Sequence, residues 1–87
     1  MVKSLLAAGK VRATVSALAG GAAIGFGYGE IIGVIAGLTA ADFYKSMTTH
    51  NDHRIWQDVY RPRTPAGDVY LKLTVLDDVL IVSFKEL

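Results

Sequence analysis

The chain has 87 residues, a length that supports one hydrophobic core and predicts a single domain over residues 1–87. It contains no cysteine, which excludes a disulfide framework and any zinc site with cysteine ligands. Nine basic and eight acidic side chains leave a net charge of +1, too small to indicate nucleic-acid binding by charge alone. Apolar residues at 52% and charged residues at 20% exclude a disordered tail, but they leave a membrane span to be considered.

The first half of the chain is small, apolar and helix-like. Glycine recurs there at every fourth position, an extended G-x-x-x-G pattern formed by Gly21, Gly25, Gly29, Gly33 and Gly37. In a membrane this pattern permits close helix approach, but the stretch is rich in small residues that transfer poorly to hydrocarbon, and a span would bury Glu30. We therefore expect two helices of a soluble protein over residues 15–23 and 28–38, with a break at residues 25–27. A small membrane-associated protein built on these glycines is the alternative.

The second half is aromatic, charged and strand-like. Alternating side chains predict four strands, at residues 43–47, 55–61, 69–75 and 79–84. In the first of them, Phe43, Lys45 and Met47 are expected to share a face. Two prolines and Gly67 predict a loop over residues 61–67. Helices followed by strands predict an α+β fold, in which the N-terminal helices cover the apolar face of a mostly antiparallel sheet.

The last two predicted strands form a hairpin that turns at Asp77 and Asp78. Loops of two and of four residues give the same register. One face is then wholly apolar, through the pairs Val75–Leu80, Leu73–Val82 and Leu71–Phe84. The other face is polar, through the pairs Tyr70–Lys85 and Lys72–Ser83. A slip of one residue would mix the two faces, so burial itself favours this register.

This polar face is the first candidate site, although a solvated face is the more frequent interpretation of such a pattern. Further polar residues lie on neighbouring strands or their ends: Lys45, Gln57, Arg61 and Arg63. Tyr44, Trp56 and Tyr60 are interleaved with them, and cations combined with aromatic rings suit phosphate contact and base stacking. Trp56 taken by itself is expected in the core.

Two other kinds of chemistry find little support in the sequence. His50 and His53 have the spacing H-x-x-H but no third close ligand, so we expect a solvated loop there and no metal site. No serine adjoins a glycine elbow and there is no thiol, so covalent acyl chemistry has no candidate nucleophile.

Four segments of the second half, at residues 41–49, 55–63, 69–72 and 78–86, closely resemble the MqsR family of toxin–antitoxin ribonucleases. The resemblance is nearly continuous from about Gly37 to the end. Residues 11–14 and 16–18 are also similar to the family's first strand and second helix. Residues 20–30 depart from the family, which has a more polar and acidic stretch there.

The resemblance implies a RelE-like fold and ribosome-independent cleavage of single-stranded mRNA, with a preference for GCU sites. It implies a cognate zinc-containing helix-turn-helix antitoxin as partner, which holds the zinc itself and through which operator DNA is bound only indirectly. We expect the toxin to act in the cytoplasm, away from membranes and without a cofactor. The family's proposed catalytic residues fall on Lys45, Gln57, Tyr70 and Lys85. We expect further RNA contacts from Met47, Arg61, Arg63 and Lys72.

Cleavage without a metal is expected to use the 2′-hydroxyl of the RNA as nucleophile. Lys45 and Lys85 would then stabilise charge on the phosphorane, and one of them could act as base. Tyr70 would be proton donor or stacking partner, Gln57 a positioning hydrogen-bonding group, and Arg61 a phosphate clamp. A module that binds RNA or the antitoxin without catalysis remains the other alternative.

Overall fold

The computed structural model describes residues 2–49 and 54–87. This part of the chain forms the helices α1 (Val2–Ala7), α2 (Val15–Ala23) and α3 (Tyr28–Ala36) and a 3-10 turn at Ala40–Asp42. Its strands are β1 (Val11–Ala13), β2 (Phe43–Thr48), β3 (Trp56–Tyr60), β4 (Arg63–Thr64), β5 (Gly67–Val75) and β6 (Val79–Glu86). The sheet order is β1-β6-β5-β3-β2, with β4 paired to β5. Because only β1 pairs in parallel, the predicted α+β fold with a mostly antiparallel sheet is confirmed.

A capping threonine and two glycines determine where helices α2 and α3 begin and end. Thr14 caps α2: its hydroxyl oxygen accepts from the Ala17 N–H at 3.0 Å and donates to the Val82 carbonyl at 2.9 Å, which ties α2 to β6. Gly25 has φ +84°, a left-handed conformation that lets the chain turn from α2 into α3. The helix α3 ends two residues before the predicted limit, at Ala36, with the Gly37 N–H bonded back to the Gly33 and Val34 carbonyls.

The helices cover one face of the sheet, as predicted, and the core lies between them. The helical side contributes Ala17, Ile31, Ile35 and Leu38. The sheet contributes Val69, Leu71, Leu73, Val79, Ile81 and Phe84. The Phe84 ring lies 5.5 Å from the Phe26 ring, centroid to centroid, which closes the core under the turn between α2 and α3.

The regularly spaced glycines do not form one packing seam. A Cβ on Gly21 would lie 2.6 Å from the Ile31 Cδ1, whereas one on Gly29 or Gly33 would meet nothing within 4 Å. The closest approach is instead at Gly20, where a Cβ would overlap the Phe84 carbonyl oxygen. Taken singly, none of the helices in the described residues is long and apolar enough to cross a bilayer. Only α2 and α3 together have that length and composition, and they are bent by 93° at the break between them.

The predicted register of the β5–β6 hairpin is confirmed in one half and wrong in the other. Tyr70 pairs with Lys85, Leu71 with Phe84 and Lys72 with Ser83. A bulge then shifts the register by one residue, giving the pairs Leu73–Ile81, Thr74–Leu80 and Val75–Val79. The predicted pairs Leu73–Val82 and Val75–Leu80 are therefore wrong, and the loop has three residues instead of two or four. The physical reason is that the bulge leaves Val82 without a partner, so that Val79 and Ile81 can enter the core.

The predicted loop at residues 61–67 is also partly wrong, because it contains β4. Arg63 pairs with Asp68 and Thr64 with Gly67, so the chain makes a tight hairpin around Pro65. Gly67 has φ +101°, which this turn requires. The hairpin lies directly before Tyr70 and fixes how β5 enters the sheet.

Candidate functional site

The face of the sheet opposite the helices, called here the outer face, carries three transverse rows of side chains. Residues paired across neighbouring strands share a face, so the rows follow from the register. The tyrosine row consists of the pair Tyr70 and Lys85 and of Arg61, which directly follows β3 and has the parity of Gln57 and Val59. The lysine row consists of Lys45, Val59, Lys72 and Ser83. The glutamine row consists of Met47, Gln57, Thr74 and Leu80.

The structure thus places all four predicted catalytic residues on one face: Lys45, Gln57, Tyr70 and Lys85. Three predicted RNA contacts, Met47, Arg61 and Lys72, share that face. Arg63 lies apart from the rows, opposite Asp68 on the short β4–β5 hairpin. Its guanidinium Nε is 3.6 Å from the Asp68 carboxylate, and its side chain is 88% exposed.

A β-bulge in β2 brings Lys45 to this face. Phe43 pairs with Tyr60 but Lys45 pairs with Val59, which leaves Tyr44 as the extra residue. Phe43 therefore faces the helices while Lys45 faces outward, and the expectation that they share a face is wrong. Lys85 needs no bulge, because the regular pairing of Tyr70 with Lys85 places it on the outer face; the bulge in β6 instead lets Ile81 and Phe84 both be buried on the helical side.

Each of two tyrosines on the outer face lies between two cations. The Tyr70 ring centroid is 5.2 Å from the Lys85 Nζ and 5.9 Å from the Lys72 Nζ. The Tyr44 ring centroid is 4.2 Å from the Arg61 guanidinium carbon and 5.5 Å from the Lys45 Nζ. At these distances the cations are attracted to the ring faces, which holds the long side chains over the sheet.

Alternation along the strands places two carboxylates of the sheet on the side away from the lysines, whereas Asp68, two residues before Tyr70, lies outside the rows and opposite Arg63. Asp58 of β3 faces the helical side, where its Oδ1 accepts from the Ser46 hydroxyl at 2.6 Å. Glu86 likewise falls on the side opposite Lys85, since it pairs with buried Val69. The three rows therefore hold cations and no carboxylate, although the whole chain has a net charge of only +1. The face can attract phosphate groups, which the net charge did not indicate.

The floor of the outer face is apolar. Val59 has no exposed surface, yet it lies outside the core cluster beneath the helices. It pairs with Lys45 on one side and Lys72 on the other, so side chains of the outer face itself must cover it. Val59 and Thr74 were not among the predicted site residues. Val59 lies two residues from Gln57 and Thr74 two residues from Lys72, so alternation along the strands could have placed both on this face.

Trp56 does not lie in the core, so that prediction is wrong. It pairs with Thr48, shares the helical side of the sheet with Asp58 and Tyr60, and is 57% exposed. The reason is position along β3: Trp56 lies four residues, about 13 Å, from Tyr60, which packs against the core. The helices do not cover the sheet that far.

The helical side contains a separate cleft of about 540 Å³, lined mainly by Ile35, Leu38, Phe43 and Tyr60. The Phe43 and Tyr60 rings meet edge to face at 5.6 Å. Burial, together with the negative charge of Asp58, raises the pKa of the Tyr60 hydroxyl above its ordinary value of 10.0. This cleft shares no residue with the three rows.

Residues 2–49 and 54–87 contain no group of three metal-ligating side chains that could hold an ion. The H-x-x-H motif of His50 and His53 lies outside these described residues.

Fold and site together define a small α+β protein with an open cationic, tyrosine-bearing sheet face, the class of surface that suits single-stranded nucleic acid. Residues 1–86 match the model of a family described as "Motility quorum-sensing regulator, toxin of MqsA". The mRNA interferase toxin MqsR of Escherichia coli (strain K12) is 60% identical over 85 residues, which cover 98% of this chain and 87% of that protein. The chain therefore belongs to the MqsR toxin family, and the resemblance seen in its second half is confirmed over nearly its whole length.

Proposed function

We propose that this chain is an mRNA interferase, an endoribonuclease that cleaves single-stranded mRNA as the toxin of a toxin–antitoxin pair. The observation that carries the proposal is the outer face, where Tyr70 lies between the ammonium groups of Lys72 and Lys85 without any carboxylate in the rows. Membership of a family of toxins, with a close relative named an mRNA interferase, supports it. GCU-type sites are the proposed preference, and cleavage does not require the ribosome.

The reaction begins with attack by the RNA 2′-hydroxyl oxygen on the adjacent phosphorus. That hydroxyl gives its proton to the neutral amine of one of the two lysines, Lys45 or Lys85, which becomes an ammonium. The bond from phosphorus to the 5′-oxygen breaks, and the leaving oxygen takes a proton from Tyr70. The products are a 2′,3′-cyclic phosphate and a 5′-hydroxyl end. The protein has to hold the 2′-oxygen in line with the leaving oxygen and to offset the negative charge that develops on the phosphorane.

The residues of the outer face divide these tasks. Lys85 and Lys45 stabilise the phosphorane charge, and Arg61 holds a neighbouring phosphate. Tyr70 donates a proton to the leaving oxygen, since its ring lies beside the Lys85 and Lys72 ammonium groups that hold the phosphate. Gln57 positions the RNA through hydrogen bonds. Because the nucleophile belongs to the substrate, cleavage proceeds in the presence of EDTA.

The partner proposed for the toxin is a cognate antitoxin that contains zinc and a helix-turn-helix, with operator DNA bound only through that antitoxin. The family description, which names its members as toxins of MqsA, supports the existence of such a protein partner. The proposed place of action is the cytoplasm, where mRNA is translated.

Cleavage of a synthetic GCU-containing RNA by purified protein in EDTA tests the proposal. Lys85→Ala removes a group that acts on the transition state and should slow cleavage by about 10²–10³-fold. Tyr70→Phe, which keeps the ring and loses only the hydroxyl, should also slow it. Lys10→Ala is the matched control, because it removes the same charge from an exposed residue outside the rows.

Two results would contradict the proposal. One is folded wild-type protein that leaves the RNA intact, which would leave a module that binds without catalysis. The other is Lys85→Ala protein that cuts as fast as Lys10→Ala.

A further inference from the structure

The glutamine row differs in chemistry from the other two rows of the outer face. Its members on β2, β3, β5 and β6 carry no charge: Met47, Gln57, Thr74 and Leu80. At its far end the row continues onto β1 at Arg12, which pairs with Leu80 and whose guanidinium is neutralised by the Asp78 carboxylate at 2.6 Å. The tyrosine and lysine rows each contain two cations. Thr74 is only 7% exposed, and the other three are half-buried, whereas the cations Lys45, Arg61 and Lys85 of the other two rows are exposed. A surface of uncharged side chains offers no cation to a phosphate, but it matches the edge and faces of a base.

The distance between rows separates Gln57 from the proposed cleavage centre. Gln57 pairs with Thr74, and Thr74 lies four residues beyond Tyr70 on β5, a separation of about 13 Å along the strand. The lysine row lies between them. The backbone of Gln57 thus lies two rows away from the Tyr70–Lys85 pair. An RNA strand that crosses the rows brings a different nucleotide to the Gln57 amide than the one whose phosphate lies at Tyr70 and Lys85.

We infer that the glutamine row is a base-recognition subsite, in which the Gln57 amide binds the edge of one base next to the scissile bond. This inference rests on the proposed function. The amide supplies one acceptor and two donors, a combination that can pair with the edge of an unstacked base in single-stranded RNA. The Met47 thioether and the Thr74 methyl group flank it and supply the apolar surface on which the base lies. Gln57 thus determines which sequence is cut, while Tyr70 and Lys85 determine how fast.

A pool of synthetic RNA with a randomised central hexamer tests the assignment. The pool is cleaved by wild-type, Gln57→Ala, Gln57→Glu and Lys85→Ala protein, and the newly formed 5′-hydroxyl ends are sequenced. The measured quantity is the ratio of cleavage between the preferred base and the other three at each position. Thermal melting of each variant shows that it is folded.

Gln57→Ala should lower that ratio by about tenfold or more at one position only, since one good contact to a base edge discriminates by about 1–3 kcal/mol. Gln57→Glu, which replaces the donating amide by an acceptor, should change which base is preferred at that same position. Lys85→Ala should slow cleavage of every sequence and leave the ratios unchanged.

A Gln57→Ala protein that cuts all sequences more slowly with unchanged ratios would overturn the inference and leave the proposed function standing. Wild-type protein that cuts no member of the pool would instead overturn the proposed function, and the base subsite with it.

Discussion

Replacing Gly20 by alanine tests how α2 is seated on the sheet. A Cβ at this position would overlap the carbonyl oxygen of Phe84 and lie 3.4 Å from the Lys85 Cβ. The overlapped atom belongs to the backbone of β6, at the residue paired with Leu71, so it cannot move aside as the end of a side chain could. Either α2 moves away from β6 or the hairpin distorts, and the Thr14 bond to the Val82 carbonyl is strained in both cases.

The expected loss of stability follows from two opposing effects. Overpacking costs about 1–3 kcal/mol, and overlap with a backbone atom takes the upper end of that range. Alanine is favoured over glycine inside a helix by about 1 kcal/mol, which offsets part of the cost. The free energy of unfolding should therefore fall by about 2 kcal/mol. For a domain of this size that corresponds to a melting temperature lower by about 8–16 °C.

Gly33→Ala is the matched control, because Gly33 lies inside α3 and a Cβ there would meet nothing within 4 Å. It should raise the free energy of unfolding by about 0.5–1 kcal/mol. Urea and thermal denaturation followed by circular dichroism measure both variants. Gly20→Ala protein as stable as the parent, or Gly33→Ala protein less stable than it, would refute this account. The second result would instead favour a seam of packed glycines.

Two further predictions concern aromatic residues. Phe84→Ala should lower the free energy of unfolding by about 3–5 kcal/mol because the Phe84 ring is fully buried. Trp56→Ala, at an exposed position, should lower it by about 0.5 kcal/mol or less. Equal losses of the two variants in urea denaturation would refute the placement of Trp56. The Tyr60 hydroxyl has a higher pKa in the folded protein than the pKa of 10.0 in the unfolded chain. The contribution of this hydroxyl to the free energy of unfolding is therefore fully present below pH 10.0 and is lost as the pH rises through the raised pKa. Tyr60→Phe should therefore decline less in stability above about pH 10 than the parent, and parallel declines would contradict the shift.

The sequence predicts an element well where its pattern has a single solution. The helix at residues 15–23 is bounded by a capping threonine and a glycine-rich break, and its limits are confirmed. The alternation of Tyr70, Leu71 and Lys72 distinguishes polar from apolar positions, so that half of the hairpin register is confirmed too. Residues 79–82 are all apolar, however, and alternation cannot decide which two of them enter the core. The bulge at Val82 lies within this apolar stretch, where alternation does not define which residues face the core.

The site was accessible to sequence only in part. Parity along β5 and β6 predicts that Tyr70 and Lys85 lie together, because both strands are regular at that end. Lys45 reaches the same face only through the extra residue in β2, and no pattern in residues 43–47 reveals a bulge. Its inclusion came from its place on a neighbouring predicted strand and from the family resemblance, which assigned it a catalytic role. The exposure of Trp56 depends on how far the short helices extend over the sheet, which is a property of the tertiary structure.

The bulge in β2 matters because it adds a cation to the outer face. Without the extra residue in β2, the register that pairs Phe43 with Tyr60 would set Lys45 opposite Asp58, on the helical side. The lysine row would lose one of its two cations, and Tyr44 would stand opposite Val59 in its place. With the bulge, Asp58 binds Ser46 on the helical side and Lys45 joins Lys72 over Val59. A chain with nearly balanced charge thus presents rows that hold cations and no carboxylate because strand parity, adjusted by one residue, places Asp58 and Glu86 on the helical side, while Asp68 lies beyond the rows, opposite Arg63.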